Sequence, residues 1–114
     1  MQNIFKILDI ASFEKMRASG AFHGATIDLK DGYIHFSTAE QVRETAQLHF
    51  GGRVDLMLLA VEAGPLGPAL KWEPSRGGQL FPHLYAPLAM KNVVWAKPLL
   101  WNGITHEFPP ETFV

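Results

Sequence analysis

Apolar and polar positions change rhythm several times along this chain, and each rhythm predicts an element. Residues 3–8 read as a first strand. Ile10, Phe13 and Met16 recur at helical spacing, which predicts a helix over about 10–19 with Gly20 as its stop. Residues 20–32 read as an irregular connection around Gly20, Gly24 and Asp31-Gly32. Tyr33 to Phe36 alternates as a short strand. A second helix is expected from Ser37 to about His49. Ala39, Val42, Ala46 and Phe50 form its apolar stripe, Ser37 and Glu40 stand at capping-box spacing, and Gly51-Gly52 ends it. Residues 55–62 are nearly all apolar without alternation, so this strand should be covered on both faces. Gly64-Pro65-Leu66-Gly67-Pro68 makes the next connection. Ala69 to Glu73 predicts a short strand ended by Pro74. Residues 74–87 read as a long loop, although Phe81, Leu84 and Tyr85 make it too apolar for disorder. Val93 to Leu100 predicts a further strand, on an edge given Pro98. The last stretch, with Pro109-Pro110, is expected to wrap the surface.

These elements define an α+β fold of about five or six strands and two helices. Both helices fall in the N-terminal half and the later half is mainly strand, an order that disfavours regular βαβ units. The length, 114 residues, predicts one domain over 1–114. Apolar residues make up 47% and charged residues 18%, which argues against disorder. The net charge of −1 advertises no nucleic-acid surface. No cysteine is present, which excludes disulfides, thiolate zinc sites and cysteine nucleophiles. The first residues do not read as a signal peptide, and the longest apolar run, Leu56 to Val61, is far short of a membrane span. The expectation is a soluble cytoplasmic protein that uses no membrane.

Candidate chemistry concentrates in two segments. In Asp31-Gly32-Tyr33-Ile34-His35-Phe36-Ser37-Thr38-Ala39-Glu40, strand alternation puts Ile34 and Phe36 on one face and Tyr33, His35 and Ser37 on the other. His35 can hydrogen-bond a ligand hydroxyl or act as acid or base. Its plainer reading is a half-buried histidine bonded to a backbone carbonyl. Capping alone accounts for Ser37, and Tyr33 also reads as an ordinary sheet aromatic. The second segment runs from Trp72 to Tyr85. Arg76 before Gly77-Gly78 suits an anion, since glycines let the backbone approach and arginine offers a fixed fork of donors. A solvated loop-tip arginine is the alternative. His83 and Tyr85 share a face if the segment is extended. Glu73 reads either as a catalytic carboxylate or as a strand-end charge.

The five histidines show no pair at ligand spacing, so no metal is expected. His23, His49 and His106 are expected on the surface or at element ends. No Gly-x-Ser-x-Gly elbow anchors a hydrolase triad and no Gly-rich phosphate loop occurs.

Taken together, Asp31-Gly32-Tyr33-Ile34-His35-Phe36-Ser37-Thr38 and Trp72-Glu73-x-Ser75-Arg76-Gly77-Gly78-x-x-Phe81-Pro82-His83-Leu84-Tyr85 resemble a bacterial family of small uncharacterised proteins, a domain of unknown function. The resemblance spans essentially the whole chain. That family is grouped by fold with the ADP-ribosyltransferases. The grouping implies a split, mainly antiparallel sheet, and NAD or a related nucleotide as a ligand cleaved or transferred at its nicotinamide–ribose bond. It implies that His35 orients a ribose hydroxyl, with Ser37 or Tyr33 in support. Arg76 would meet the phosphates and Tyr85 or Phe81 would stack on the base. His83 would steady the loop or take part in proton transfer. His35-x-Ser37 is also similar to an element of the RNA 2'-phosphotransferases, but the near-neutral charge argues against RNA. The strand Val93-Val94-Trp95-Ala96-Lys97 has no glutamate where the superfamily places its catalytic carboxylate, which leaves Glu73 and Glu107 as substitutes. A non-catalytic small-ligand or protein-interaction module is the alternative reading.

Overall fold

The computed structural model describes residues 2–114 and shows a mixed, mostly antiparallel fold. Its larger sheet has the order β1 (Asn3–Asp9), β4 (Leu56–Glu62), β8 (Val93–Trp101), β9 (His106–Glu107). Strand β4 lies inside it, paired with β1 and β8. The absence of alternation in β4 has the expected cause. Leu59 and Val61 join one apolar cluster with Ile4, Leu8, Phe13 and Met16. Leu56, Leu58 and Ala60 join another with Phe5, Ile7, Val42 and Ala46. Helix α1 (Ile10–Ser19) contributes to the first cluster, and helix α3 (Ala39–Phe50) to the second.

Helix α1 ends where the spacing predicted. Gly20 adopts φ 90°, and its N–H closes on the Met16 carbonyl. Helix α3 starts one residue later than predicted. Thr38, not Ser37, is its N-cap, and the Thr38 N–H donates to Gln41 Oε1 at 3.0 Å, so Gln41 replaces Glu40 in the capping pair. Ser37 has another task. Its backbone exchanges hydrogen bonds of 2.8 and 2.9 Å with Phe5. This single bridge joins β1 to a three-stranded sheet of order β3 (Ile34–His35), β6 (Leu80–Leu84), β5 (Leu70–Pro74). A two-stranded ribbon, β2 (Ala21–Phe22) with β7 (Leu88–Ala89), completes the strands.

Two predicted segments need correction. The connection over 20–32 contains a third helix, α2 (Thr26–Asp31), in addition to the two expected in the N-terminal half. At six residues it is too short to show an apolar period, and only Asp28 in it is buried. The predicted loop over 74–87 contains β6, which forms a hairpin with β5 across a turn at Arg76–Gly78. Pro82 lies inside β6 although it cannot donate. Its carbonyl accepts from the Phe36 N–H at 3.0 Å, and it stands opposite Trp72. The hairpin bonds just outside β5 and β6, Tyr85 N–H to Ala69 and Ser75 N–H to Gln79, fall at odd-numbered positions. Antiparallel ladders alternate, so Pro82 needs no N–H toward β5. Strand β8 is an edge over residues 93–99 only, because β9 pairs with Leu100 and Trp101.

Among the described residues, no helix is long and apolar enough to cross a membrane.

Candidate functional site

Both chemistry-bearing segments meet on one face of the three-stranded sheet. The register pairs His35 with His83, and His83 with Lys71. Glu73 stands opposite Phe81. Directly opposed residues share a face, so one face carries His35, His83, Lys71, Glu73 and Phe81. Ile34 and Leu84 pair on the other face and enter the core.

Aromatic rings tie this face together. Tyr33 stacks on His83 with centroids 4.1 Å apart, lies 4.6 Å from the His35 ring and 5.2 Å from Tyr85. Glu73 Oε1 accepts from His83 Nδ1 at 2.8 Å and from the Tyr85 hydroxyl at 2.7 Å. The Tyr85 and His83 hydrogen bonds hold the Glu73 carboxyl below its ordinary range, so it is ionised at neutral pH. The same Glu73 bond pushes the Tyr85 hydroxyl up to about 12.

His35 is fixed from both sides. Its Nδ1 lies 2.6 Å from Asp28 Oδ1 and its Nε2 lies 2.9 Å from Asp31 Oδ2. Asp28 is the hub, although nothing in the local pattern of α2 distinguishes it. It is 2% exposed and accepts from Lys6 Nζ at 3.1 and 3.2 Å and from the backbone N–H groups of Ala25 and His35 at 2.8 and 3.0 Å. Gly24, at φ 125°, lets the chain pass close by; a Cβ there would come within 2.9 Å of the Asp28 Cβ. Lys6 carries a signal that could have revealed the pair. It falls between Ile4 and Leu8 on the core face of β1, where an ammonium requires a partner. Burial pulls Lys6 below its ordinary 10.5, against the attraction of Asp28.

Burial pushes the Asp28 carboxyl up. The His35 hydrogen bond, the Lys6 charge and the two backbone donors outweigh it and hold the group at about 2, against an ordinary 3.8. Asp28 therefore binds its proton more weakly in the folded chain than in the unfolded one. Its stabilisation is fully present above the unfolded value and is lost as pH falls from about 4 through about 2, a loss of roughly 2 kcal/mol. Urea titrations across that window should show this fall in wild type and a smaller one in Asp28→Asn.

The remaining predicted residues form a second neighbourhood at the hairpin turn. Ser37 is buried, and its hydroxyl lies 2.8 Å from Thr45 Oγ1 on α3. Arg76 donates to the same Thr45 oxygen at 3.2 Å and pairs with Glu44 at 2.7 Å. Its guanidinium lies 4.9 Å from the Phe81 ring, which is buried beneath it. Phe81 therefore supports Arg76 and offers no free face for stacking, whereas Tyr85 is 42% exposed. Glu107 lies on β9, in the larger sheet, away from both groups. His106 starts β9 but is buried, 2.9 Å from the Arg53 carbonyl oxygen. Among the described residues, no three His, Asp or Glu side chains are grouped to hold a metal.

A cleft of about 260 Å³ adjoins the aromatic end of the face, lined by Asp28, Gly32, Tyr33, Leu84, Tyr85 and Pro87 among others. Tyr33 and Tyr85 belong to both cleft and face. His35, His83 and Arg76 do not line the cleft.

The chain is similar to solved structures of one protein. A crystal structure of protein CC0527 from Caulobacter crescentus is 47% identical, covers 92% of this chain and 93% of its own, and superposes with a TM-score of 0.89. The solution structure of CC0527 is 48% identical over 93% of this chain and 91% of its own, with a TM-score of 0.84. The family described as "Protein of unknown function (DUF952)" matches residues 7–96. No curated protein matches the sequence.

Proposed function

The chain belongs to the DUF952 family of proteins of unknown function, and from that premise we propose that the His35–His83 face binds NAD or a related nucleotide and acts at its nicotinamide–ribose bond. One observation carries this reading: the register brings both chemistry-bearing segments onto a single sheet face, with His35 directly opposite His83. The split, mainly antiparallel arrangement supports the likeness to ADP-ribosyltransferases. In this reading a ribose hydroxyl displaces the partly exposed Asp31 carboxylate from His35 Nε2, Tyr33 supports it and Tyr85 stacks on the base. Glu73, already bonded to His83 and Tyr85, is the carboxylate this face offers where β8 has none, and it acts through those two side chains. Ser37 acts through Thr45 to set Arg76, which meets the phosphates. The Glu44 side chain that holds Arg76 is 62% exposed, and such surface pairs are worth about 0–1 kcal/mol, so an anion can displace it.

A second reading, a ligand-binding module without turnover, is favoured by the carboxylates at both ring nitrogens of His35, which leave it no free nitrogen for proton transfer. Calorimetric titration with NAD should show binding by wild type and its loss in a folded His35→Ala variant. No heat at millimolar NAD removes both the nucleotide and the cleavage reading. Binding without release of nicotinamide leaves the module.

A further inference from the structure

The two paired histidines are held in different ways. His35 faces a carboxylate oxygen with each ring nitrogen. His83 faces one only with Nδ1, the oxygen of Glu73. An ionised carboxylate only accepts, so the Nδ1 proton of His83 is donated and Nε2 keeps a lone pair in the neutral ring. No described residue bonds that Nε2. The His83 side chain is buried, only 4% exposed, and the trace of surface it keeps includes this nitrogen, because the fully buried side-chain polar atoms without a partner are Glu62 Oε1 and Thr112 Oγ1. Tyr33 stacks 27° from the His83 ring plane, covering the ring's face rather than the in-plane lone pair.

We infer that His83 is the proton acceptor of this face, with Glu73 its positioning residue and His35 a fixed anchor. This rests on the nucleotide reading for its substrate, though not for its tautomer. In the reaction, the His83 Nε2 takes the proton of a water or acceptor hydroxyl as that oxygen bonds to the anomeric carbon of the ribose. The carbon–nitrogen bond breaks, and its electron pair leaves with neutral nicotinamide. His83 ends as an imidazolium against the Glu73 carboxylate. An oriented base of this kind is the general pattern of histidine–carboxylate pairs.

The first test needs no ligand. Ring nitrogen NMR on histidine-labelled protein, at a pH where the ring is uncharged, should show His83 with Nδ1 protonated and Nε2 bare, and a loss of that preference in Glu73→Gln. A wild-type Nε2–H tautomer overturns the inference. Diethyl pyrocarbonate with peptide mapping should still modify the buried His83 in the wild type; a His83 that stays unmodified also overturns it. Where NAD is turned over, Glu73→Gln and His83→Asn should bind NAD but lose nicotinamide release. Release unchanged in both refutes the base while leaving the nucleotide reading intact. If NAD does not bind at all, that reading fails, and the tautomer and labelling results still decide the role of His83.

Discussion

Asp28→Asn is expected to destabilise the protein by about 3–5 kcal/mol, because it strands the buried Lys6 ammonium without its counter-charge. The melting temperature should drop by on the order of 10–20 °C. Asparagine keeps the size of the side chain but replaces one acceptor oxygen with a donor. It cannot serve Lys6, both His35 donors and the Ala25 N–H at once. The decisive comparison is the double variant Lys6→Met/Asp28→Asn. Removing the stranded charge should recover much of the loss, and the coupling between the two changes should exceed about 1 kcal/mol. Chemical denaturation of the four proteins measures it. Additive losses would show that the pair is incidental to the fold.

Leu58→Ala and Leu59→Ala should each cost about 2–5 kcal/mol. Both leucines are 0% exposed, yet they serve different cores. Leu58 fills the cluster under α3, and Leu59 fills the cluster shared with α1 and the three-stranded sheet. Their cavities open on opposite sides of β4, so the costs should sum to within about 0.5 kcal/mol. A total approaching the roughly 5–15 kcal/mol that holds a domain together leaves the double variant unfolded or nearly so. Circular dichroism melts of the single and double variants check this. A double variant no worse than either single one would show that β4 does not separate two cores.

The helix stripes, the doubly covered β4 and the stop at Gly20 were legible because each depends on local periodicity or on a backbone angle that few residues adopt. The start of α3 was misplaced by one residue because Ser37-Thr38 offers two capping hydroxyls in succession. The choice was made by Phe5, whose backbone occupies that of Ser37. Strand β6 was read as part of a loop over 74–87, and it carries Pro82 at a position whose amide does not face β5.

The sequence by itself determined which residues carry the chemistry of this protein: Tyr33, His35, Glu73, Arg76, His83 and Tyr85 stand in two dense segments. Tertiary structure alone decided how they are grouped and which of their atoms remain free. The register of β3 on β6 sets His35 beside His83, and the hairpin sets Glu73 against His83 and Tyr85. The hub Asp28 lies in a six-residue helix with no periodicity to mark it, and its partner Lys6 is 22 residues away. Side-chain period reports which way a residue points. Only packing across the chain determines what it meets there.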